Sequence, residues 1–220
     1  MTTRDQLIYV ADPMCSWCWG FSPVIEAVRE TFGDAFDTRL VMGGLRPGTT
    51  KPMDDKSKGT VREHWEHVET ASGQPFDFAF FDRDGFVYDT EPAARAVVAA
   101  RRQDADKAFA YLKRVHRAFY AENRDVTDRG ELASLAEEAG LDRDAFEATF
   151  DSEDVRTETW KDFALSQRSG ITGFPTLLIG NQADGHAVVT VGFQPWQAIE
   201  ARIETWRAQR AAAPQPPATA

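Results

Sequence analysis

The chain has 220 residues, only two of them cysteines, and a formal net charge of -10. Two cysteines exclude a disulfide-stapled secreted scaffold and a zinc site of four thiolates within one chain. The acidic surplus argues against binding to nucleic acid or anionic lipid, because both attract basic surfaces. No apolar run approaches the roughly 18 residues of a membrane span, and the N-terminus lacks a signal-peptide core. We therefore expect a cytoplasmic protein whose partners include neither nucleic acid nor membrane.

The first 50 residues predict a strand, a helix and a second strand. Residues 7–10 form a short apolar run typical of a buried strand. From Ser16 onwards apolar residues recur at helical spacing, and Pro23 within this repeat is expected to kink the helix or divide its first turns from the rest. Residues 36–42 predict the second strand. The segment therefore has the size and order of a strand–helix–strand unit.

Residues 51–168 predict helices almost throughout, about five or six of them. Thr90 followed by Pro92 is typical of a helix start, as is Asp142. An aromatic cluster lies at 76–81. This stretch is therefore expected to form an all-helical insertion.

Strand patterns return after the helical stretch. Residues 174–179 and 187–191 predict a β-hairpin with a loop of about five residues. A final helix is predicted from Pro195. Residues 211–220 are rich in Ala and Pro and predict a disordered tail.

Cys15 and Cys18 enclose Ser16 and Trp17, directly after the first strand and at the start of the first helix. In thiol–disulfide exchange the attacking group is a thiolate, which the unpaired N–H groups and positive dipole at a helix N-terminus stabilise. Cys15, in the first turn, is expected to be exposed and to act as the nucleophile. Cys18, three residues on, can attack the mixed disulfide and release the product. The spacing therefore predicts a redox-active pair.

A passive disulfide or half of a metal site is the other interpretation of the pair. Zinc usually takes four ligands, and the histidines that could complete such a site, His64, His67, His116 and His186, all lie far from the pair in sequence. His64 and His67, three residues apart, are more typical of a solvated helix face. We therefore expect no metal.

Two segments resemble a known family. Residues 12–23, Asp-Pro-Met-Cys-Ser-Trp-Cys-Trp-Gly-Phe-Ser-Pro, and residues 170–177, Gly-Ile-Thr-Gly-Phe-Pro-Thr-Leu, resemble motifs of the thioredoxin superfamily. With the helical insertion, they resemble its DsbA-like branch, in particular the leaderless bacterial proteins called FrnE-like or predicted disulfide isomerases. The resemblance covers about residues 5–207.

This resemblance implies an α/β thioredoxin-like fold, βαβ then ββα, with an all-helical insertion domain. The expected boundaries are 1–50 and 169–210 for the two halves of the thioredoxin-like domain, 51–168 for the insertion and 211–220 for the tail. It also implies a thiol–disulfide oxidoreductase, similar to protein disulfide isomerases, that acts on protein or peptide thiols and disulfides. Such an enzyme needs a recycling reductant or oxidant but no bound cofactor, and glutathione is a candidate co-substrate.

The resemblance further implies that Pro175 is a cis-proline facing the cysteines and that the backbone of Phe174 pairs with bound peptide. From the residues alone, Gly173-Phe174-Pro175 is more simply a loop entering an edge strand. Trp17, between the thiols, is expected on an apolar rim that binds polypeptide, whereas Trp19 and Phe21 are expected in the core.

Asp12 precedes Cys15 by three residues and has two interpretations. If buried, its carboxylate could accept the proton of Cys18. It could instead terminate the strand and cap the turn. The loop Gly43-Gly44-Leu45, after the second strand, is either a further part of the site or a plain turn.

The direction of the redox reaction is open because the chain departs from strongly oxidising DsbA proteins. Those have Pro-His between the cysteines, whereas Ser16 and Trp17 occupy these positions here. Trp17 cannot stabilise a thiolate by charge, so a reductase or isomerase is as well supported as an oxidase. A glutathione-dependent isomerase or transferase of the same architecture and a non-enzymatic polypeptide-binding chaperone module are the alternatives.

Overall fold

A computed structural model describes residues 4–212 and confirms the predicted α/β order. The first unit comprises β1 (Gln6–Ala11), α1 (Ser16–Phe32) and β2 (Asp37–Met42). The insertion comprises α2 (Asp55–Ser72), a short 3-10 helix (Phe78–Asp82), α3 (Glu91–Gln103), α4 (Lys107–Ala121), α5 (Arg129–Glu138), α6 (Arg143–Phe150) and α7 (Glu153–Arg168). The last unit comprises β3 (Thr176–Asn181), β4 (Gly185–Val191) and α8 (Trp196–Ala212).

The four strands form one sheet in the order β2, β1, β3, β4. β1 and β2 are parallel, with Tyr9 opposite Leu40, whereas β3 is antiparallel to both β1 and β4. α1 covers the face that carries Tyr9, whose ring stacks on Phe21 with 5.9 Å between centroids. α8 packs against α1 and β4. The N-terminus of α1 therefore lies just beyond the carboxyl end of the central strand β1.

The insertion, which we call the helical lobe, begins its helices with side-chain caps. Asp54, Asp128, Asp142 and Ser152 each accept a hydrogen bond from the backbone N–H three residues on. Such caps satisfy donors that have no partner within the helix. α3 packs against α4, α6 and α7 and is rich in buried alanine, which lets the helices approach closely.

Aromatic side chains fill the part of the lobe next to α1. The Trp65 ring is fully buried, and its centroid lies 4.8–5.3 Å from those of four other rings, Phe76, Phe80, Phe81 and Tyr120. The aromatic segment 76–81 singled out in the sequence is thus part of the core of the lobe.

Several boundaries differ from the sequence-based prediction for local reasons. The helix that the sequence predicts from Asp104 begins at Lys107, as α4, because the Asp104 carboxylate accepts the Lys107 N–H and closes a turn before it. The β3–β4 loop has three residues, 182–184, and not about five, because the Asn181 side-chain oxygen accepts the N–H of Asp184.

Two further predictions concern helix continuity. α1 runs as one element through Pro23, so this proline does not divide it. Ala211 and Ala212 belong to α8, since alanine extends a helix readily, and assigning them to a disordered tail was wrong. The remaining tail prediction, 213–220, lies outside the described residues. Within residues 4–212, no helix has the length and apolarity needed to cross a membrane.

Candidate active site

The two cysteines are free thiols at the start of α1. Cys15 is the N-cap residue, and its carbonyl accepts the N–H of Cys18 at 3.0 Å and of Trp19 at 3.1 Å. The Cys15 N–H donates to the Asp12 carbonyl at 3.1 Å, which fixes the turn between β1 and the helix. Cys18 is fully buried, and Cys15 is only 6% exposed. The expectation of an exposed Cys15 was therefore wrong.

Cys15 is partly covered by the loop before β3. Its thiol donates to the Phe174 carbonyl with 3.6 Å between Sγ and O. The peptide bond between Phe174 and Pro175 is cis, as the family resemblance implies. The Phe174 ring lies directly on Gly43, where an added Cβ would be 2.2 Å from the ring. The loop after β2 thus reaches the site, and only glycine at position 43 leaves room for this ring.

The aromatic residues near the thiols divide as predicted. Trp19 and Phe21 are buried in the core, with exposed fractions of 3% and 0%. Trp17 and Phe174 are half-buried, and the Trp17 ring lies 5.9 Å from that of Phe193. We call Trp17, Phe174 and the exposed Leu45 the rim: they are incompletely buried apolar residues in the helical turn and in the two loops that flank the thiols. A role for the rim in substrate binding stays a prediction.

Asp12 is fully buried and holds the loops on either side of it. Its Oδ1 accepts the Met14 N–H at 2.9 Å, and its Oδ2 accepts the Leu45 N–H at 2.7 Å. Burial raises the pKa of the carboxyl to about 6, although these hydrogen bonds act in the opposite direction. Asp12 therefore caps the turn, as one interpretation held, while its role as a proton acceptor stays a prediction.

The Cys18 thiol has a pKa raised well above its ordinary value. Burial is the main cause, and the neighbouring Cys15 adds to it by hydrogen bonding and charge. At neutral pH Cys18 is therefore protonated, and it must lose this proton before it can attack a disulfide.

His116 was considered in the sequence only as a distant metal ligand, but α4 brings it beside the cysteines. Its Nε2 lies 3.1 Å from the Asp12 carbonyl and its Nδ1 lies 3.3 Å from Ser22 Oγ, which also lies 3.3 Å from the Cys18 carbonyl. Burial lowers the pKa of His116 to about 4, against the effect of the Asp12 bond. The ring is therefore neutral. Because a carbonyl only accepts, Nε2 carries the hydrogen and Nδ1 is the acceptor.

The helical lobe holds the active-site turn through further polar contacts. The Tyr88 hydroxyl donates to the Met14 carbonyl at 2.8 Å. From α1, the Trp19 indole N–H donates to the Pro75 carbonyl at 3.1 Å. With the His116 bond, these contacts link the turn before Cys15 to the lobe. The position of His116 on the apolar face of α4 was the only sequence signal for this arrangement.

The described part of the chain, residues 4–212, contains no group of three or more His, Cys, Asp or Glu side chains arranged to hold a metal ion. His64 and His67 are exposed on α2, as expected for a solvated helix face.

The buried Asp12 carboxyl predicts a pH-dependent stability. Its pKa is about 6 in the folded chain against 3.8 ordinarily, so the folded state retains a proton that the unfolded chain loses between about pH 4 and 6. The contribution of Asp12 to stability therefore falls as pH rises through this window and is constant above about pH 7. As pH rises through this window, the free energy of unfolding of the wild type should fall by up to about 3 kcal/mol relative to that of the Asp12→Asn variant.

Urea unfolding of both proteins across this pH range measures the effect. The amide substitution also alters the hydrogen bonds to Met14 and Leu45, but that offset does not vary with pH. A difference in unfolding free energy that stays flat from about pH 4 to 7 would contradict the prediction.

Comparisons with known proteins agree with this geometry. A family model described as DSBA-like thioredoxin domain matches residues 6–204. The solved structure of a protein disulfide isomerase candidate from Nitrosomonas europaea is 34% identical, with a TM-score of 0.89 over 94% of this chain and 99% of that chain. The cytosolic disulfide reductase DsbM from Pseudomonas aeruginosa is 31% identical, with a TM-score of 0.76 over 94% and 100% of the two chains, and has also been solved with GSH.

Among curated proteins, the ClpXP adapter protein SpxH of Bacillus subtilis is 24% identical over 177 residues, which are 80% of this chain. The chain spans 58% of the length of that relative. The family model covers nearly all of the described residues, and the solved relatives share the helical insertion between β2 and β3. The chain therefore belongs to the DSBA-like thioredoxin domain family and has its α/β thioredoxin-like fold.

Proposed function

We propose that this protein is a cytoplasmic thiol–disulfide oxidoreductase that reduces or isomerises disulfides, with Cys15 as the nucleophile and Cys18 as the resolving thiol. One observation carries the proposal. Cys15 caps the N-terminus of α1 with its sulfur 3.6 Å from the carbonyl that precedes cis-Pro175, while Cys18 is buried behind it. Cys15 thus stands first in the path of a substrate, at the helix N-terminus, and burial keeps Cys18 protonated until the second step.

The reaction has two exchange steps. The Cys15 thiolate attacks one sulfur of the substrate disulfide, a bond forms between these two sulfurs, and the other substrate sulfur leaves as a thiolate. Cys18 then loses its proton and attacks Cys15 Sγ. The bond to the substrate breaks, the second substrate sulfur leaves as a thiolate, and the protein retains a Cys15–Cys18 disulfide. The substrate has gained two electrons, and two molecules of glutathione would restore the dithiol as they form oxidised glutathione.

Two features favour reduction or isomerisation over oxidation. The residues between the cysteines, Ser16 and Trp17, supply no charge that would stabilise the reduced pair. DsbM, which shares 31% of its sequence with this chain, is described as a cytosolic disulfide reductase and has been solved with GSH. Glutathione is accordingly the proposed recycling reductant.

The rim favours disulfides in polypeptides as substrates. Leu45 is 39% exposed, and Trp17 and Phe174 expose part of their rings beside the thiols. An exposed apolar surface of this kind binds unfolded or extended chains. Phe174 contributes its ring to this surface and its carbonyl to the contact with Cys15.

Glutathione-driven reduction of insulin by the wild type, with trapping by Cys18→Ser, tests the proposal. The wild type should reduce insulin catalytically. Cys18→Ser should accumulate a mixed disulfide because the resolving thiol is absent, and dithiothreitol should release it. Mass spectrometry after peptide cleavage should locate the adduct on Cys15. An inactive wild type, or an adduct that does not form, would contradict the proposal.

A polypeptide-binding adapter is the second candidate, favoured by the similarity to SpxH. In that case the rim would hold a partner without thiol exchange. Binding of an unfolded peptide that is unchanged when both cysteines are replaced by serine, together with an inactive wild type in the insulin assay, would support the adapter and exclude the reductase.

A further inference from the structure

A cavity of about 90 Å³ lies between β1, α1 and α4, and none of the three rim residues lines it. β1 contributes Tyr9 to its wall, α1 contributes Ser22 and Glu26, and α4 contributes Ala110, Lys113 and His116. None of these residues belongs to the surface where a substrate would approach Cys15. Neither cysteine lines the cavity, but Ser22 in its wall lies 3.3 Å from the Cys18 carbonyl and His116 lies 3.1 Å from the Asp12 carbonyl, so the wall adjoins the active-site turn.

We propose that this cavity is the route by which the proton of Cys18 leaves the protein, passing through the Tyr9 hydroxyl to water in the cavity. The inference rests on the proposed function, because only the second exchange step requires Cys18 to lose a proton.

Cys18 needs such a route because it has no contact with solvent. Its exposed fraction is 0%, and the neighbouring Cys15 is linked to the substrate when Cys18 attacks. The step forms the Cys15–Cys18 bond, breaks the bond from Cys15 to the substrate and releases the substrate sulfur with its electron pair. In the proposed route the thiol proton leaves on the side of Cys18 away from the substrate.

Tyr9 is placed to receive this proton. It is 1% exposed, and its hydroxyl adjoins the Cys18 thiol, which adds to burial in raising the pKa of Tyr9 above its ordinary value. A neutral hydroxyl both accepts and donates, so it can take the thiol proton while it passes its own to water. Stacking on Phe21 holds the phenol ring in this position.

The cavity has the size and polarity to hold water. A buried water needs at least about 10–15 Å³ of such volume and two or more polar partners, so 90 Å³ has room for more than one. Ser22 Oγ and His116 Nδ1 lie 3.3 Å apart in the wall, and the neutral ring leaves Nδ1 as an acceptor. Ser22 also lies 3.3 Å from the Cys18 carbonyl, which ties the wall to the helical turn of the resolving thiol.

The outer end of the cavity is lined by charged groups that reach solvent. Glu26 and Lys113 form an ion pair with 2.7 Å between Nζ and Oε1, and both side chains are almost half exposed. Arg29 lies beside them, bonded to Asp106 at 2.8 Å and stacked on Phe109. Hydrated surface groups of this kind pass a proton to bulk water.

Asp12 is the competing acceptor, but it lacks a path to solvent. Both carboxylate oxygens accept backbone N–H groups, the side chain is 0% exposed, and it is not among the residues that line the cavity. The geometry therefore favours Tyr9 as the group that connects Cys18 with water.

Single-turnover reduction of an aromatic disulfide, whose two thiols absorb visible light when released, separates the two exchange steps. The first thiol reports attack by Cys15 and the second reports resolution by Cys18. Tyr9→Phe should slow the second phase by about 100-fold, the lower end of general acid–base effects, and leave the first phase within about twofold. The second phase of the variant should also depend more steeply on pH, since hydroxide must replace the relay.

Tyr111→Phe is the matched control, because Tyr111 is another buried tyrosine whose hydroxyl bonds the Leu132 carbonyl within the helical lobe. It should change neither phase. A second variant, Ala110→Phe, narrows the cavity at an exposed residue of its wall without removing a polar group. It should slow the second phase and leave the first unchanged. Its control, Ala110→Ser, adds little volume and should change neither phase.

Wild-type resolution in both Tyr9→Phe and Ala110→Phe would overturn the inference and leave the proposed function intact. Slower resolution in Asp12→Asn, with Tyr9→Phe at the wild-type rate, would also overturn it in favour of Asp12. If the wild type releases neither coloured thiol, the proposed function itself fails.

Discussion

Replacing Cys15 by serine is expected to lower disulfide reduction by at least about 10³-fold, the scale of loss when an enzyme's nucleophile is removed. A serine hydroxyl stays protonated near neutral pH and is a poor nucleophile without an adjacent base. The fold should be unaffected, because serine at the N-cap of α1 is well tolerated and its hydroxyl can still donate to the Phe174 carbonyl. Insulin reduction and thermal unfolding, measured side by side, check both parts.

Ser16→Ala is the control for this substitution. Ser16 is adjacent to Cys15 and half-buried, so the change tests the same turn without removing a thiol. It should keep reduction within a few-fold of the wild type. A Cys15→Ser protein that retains more than a tenth of the wild-type rate would show that Cys15 is not the attacking group, and the assignment of both cysteines would then be wrong.

The local parts of the site could be predicted from the sequence because they depend on short-range patterns. The spacing of Cys15 and Cys18, directly after an apolar strand, places both at a helix start. The helical repeat places Phe21 in the core. The cis bond before Pro175 followed from the resemblance of residues 170–177 to a family motif, since no pattern of residue types distinguishes a cis from a trans proline.

The parts that escaped prediction depend on how the helical lobe packs. His116 is 104 residues from Asp12 in sequence, and their contact arises only because α4 lies against α1. The burial of Cys15 has the same kind of cause, as the Phe174 loop, 159 residues away, covers its sulfur. Helical periodicity identifies the apolar face of α4 but not which helix it meets.

This dependence on packing makes the aromatic core of the lobe important to the active site. The Tyr88 hydroxyl, which holds the Met14 carbonyl, lies 3.4 Å from the Tyr120 hydroxyl. The Tyr120 ring lies 5.0 Å from that of Trp65. Loss of Trp65 should therefore loosen the turn before Cys15 as well as the lobe.

Trp65→Ala is expected to lower the free energy of unfolding by about 3–5 kcal/mol. The side chain is fully buried among the rings of Phe76, Phe80, Phe81 and Tyr120, so its removal loses apolar burial and leaves a cavity. Urea unfolding measures the loss, provided that the slope with denaturant is unchanged.

Trp65→Phe separates the effect of volume from that of polarity. Within the described residues the indole Nε1 of Trp65 makes no hydrogen bond, so phenylalanine removes no polar contact and fills most of the space. Trp65→Phe should therefore lower the free energy of unfolding clearly less than Trp65→Ala does. If the two variants were equally destabilised, the cost would not come from the cavity. If Trp65→Ala lost less than about 1 kcal/mol, the aromatic cluster would not be the core that holds the lobe against the active site.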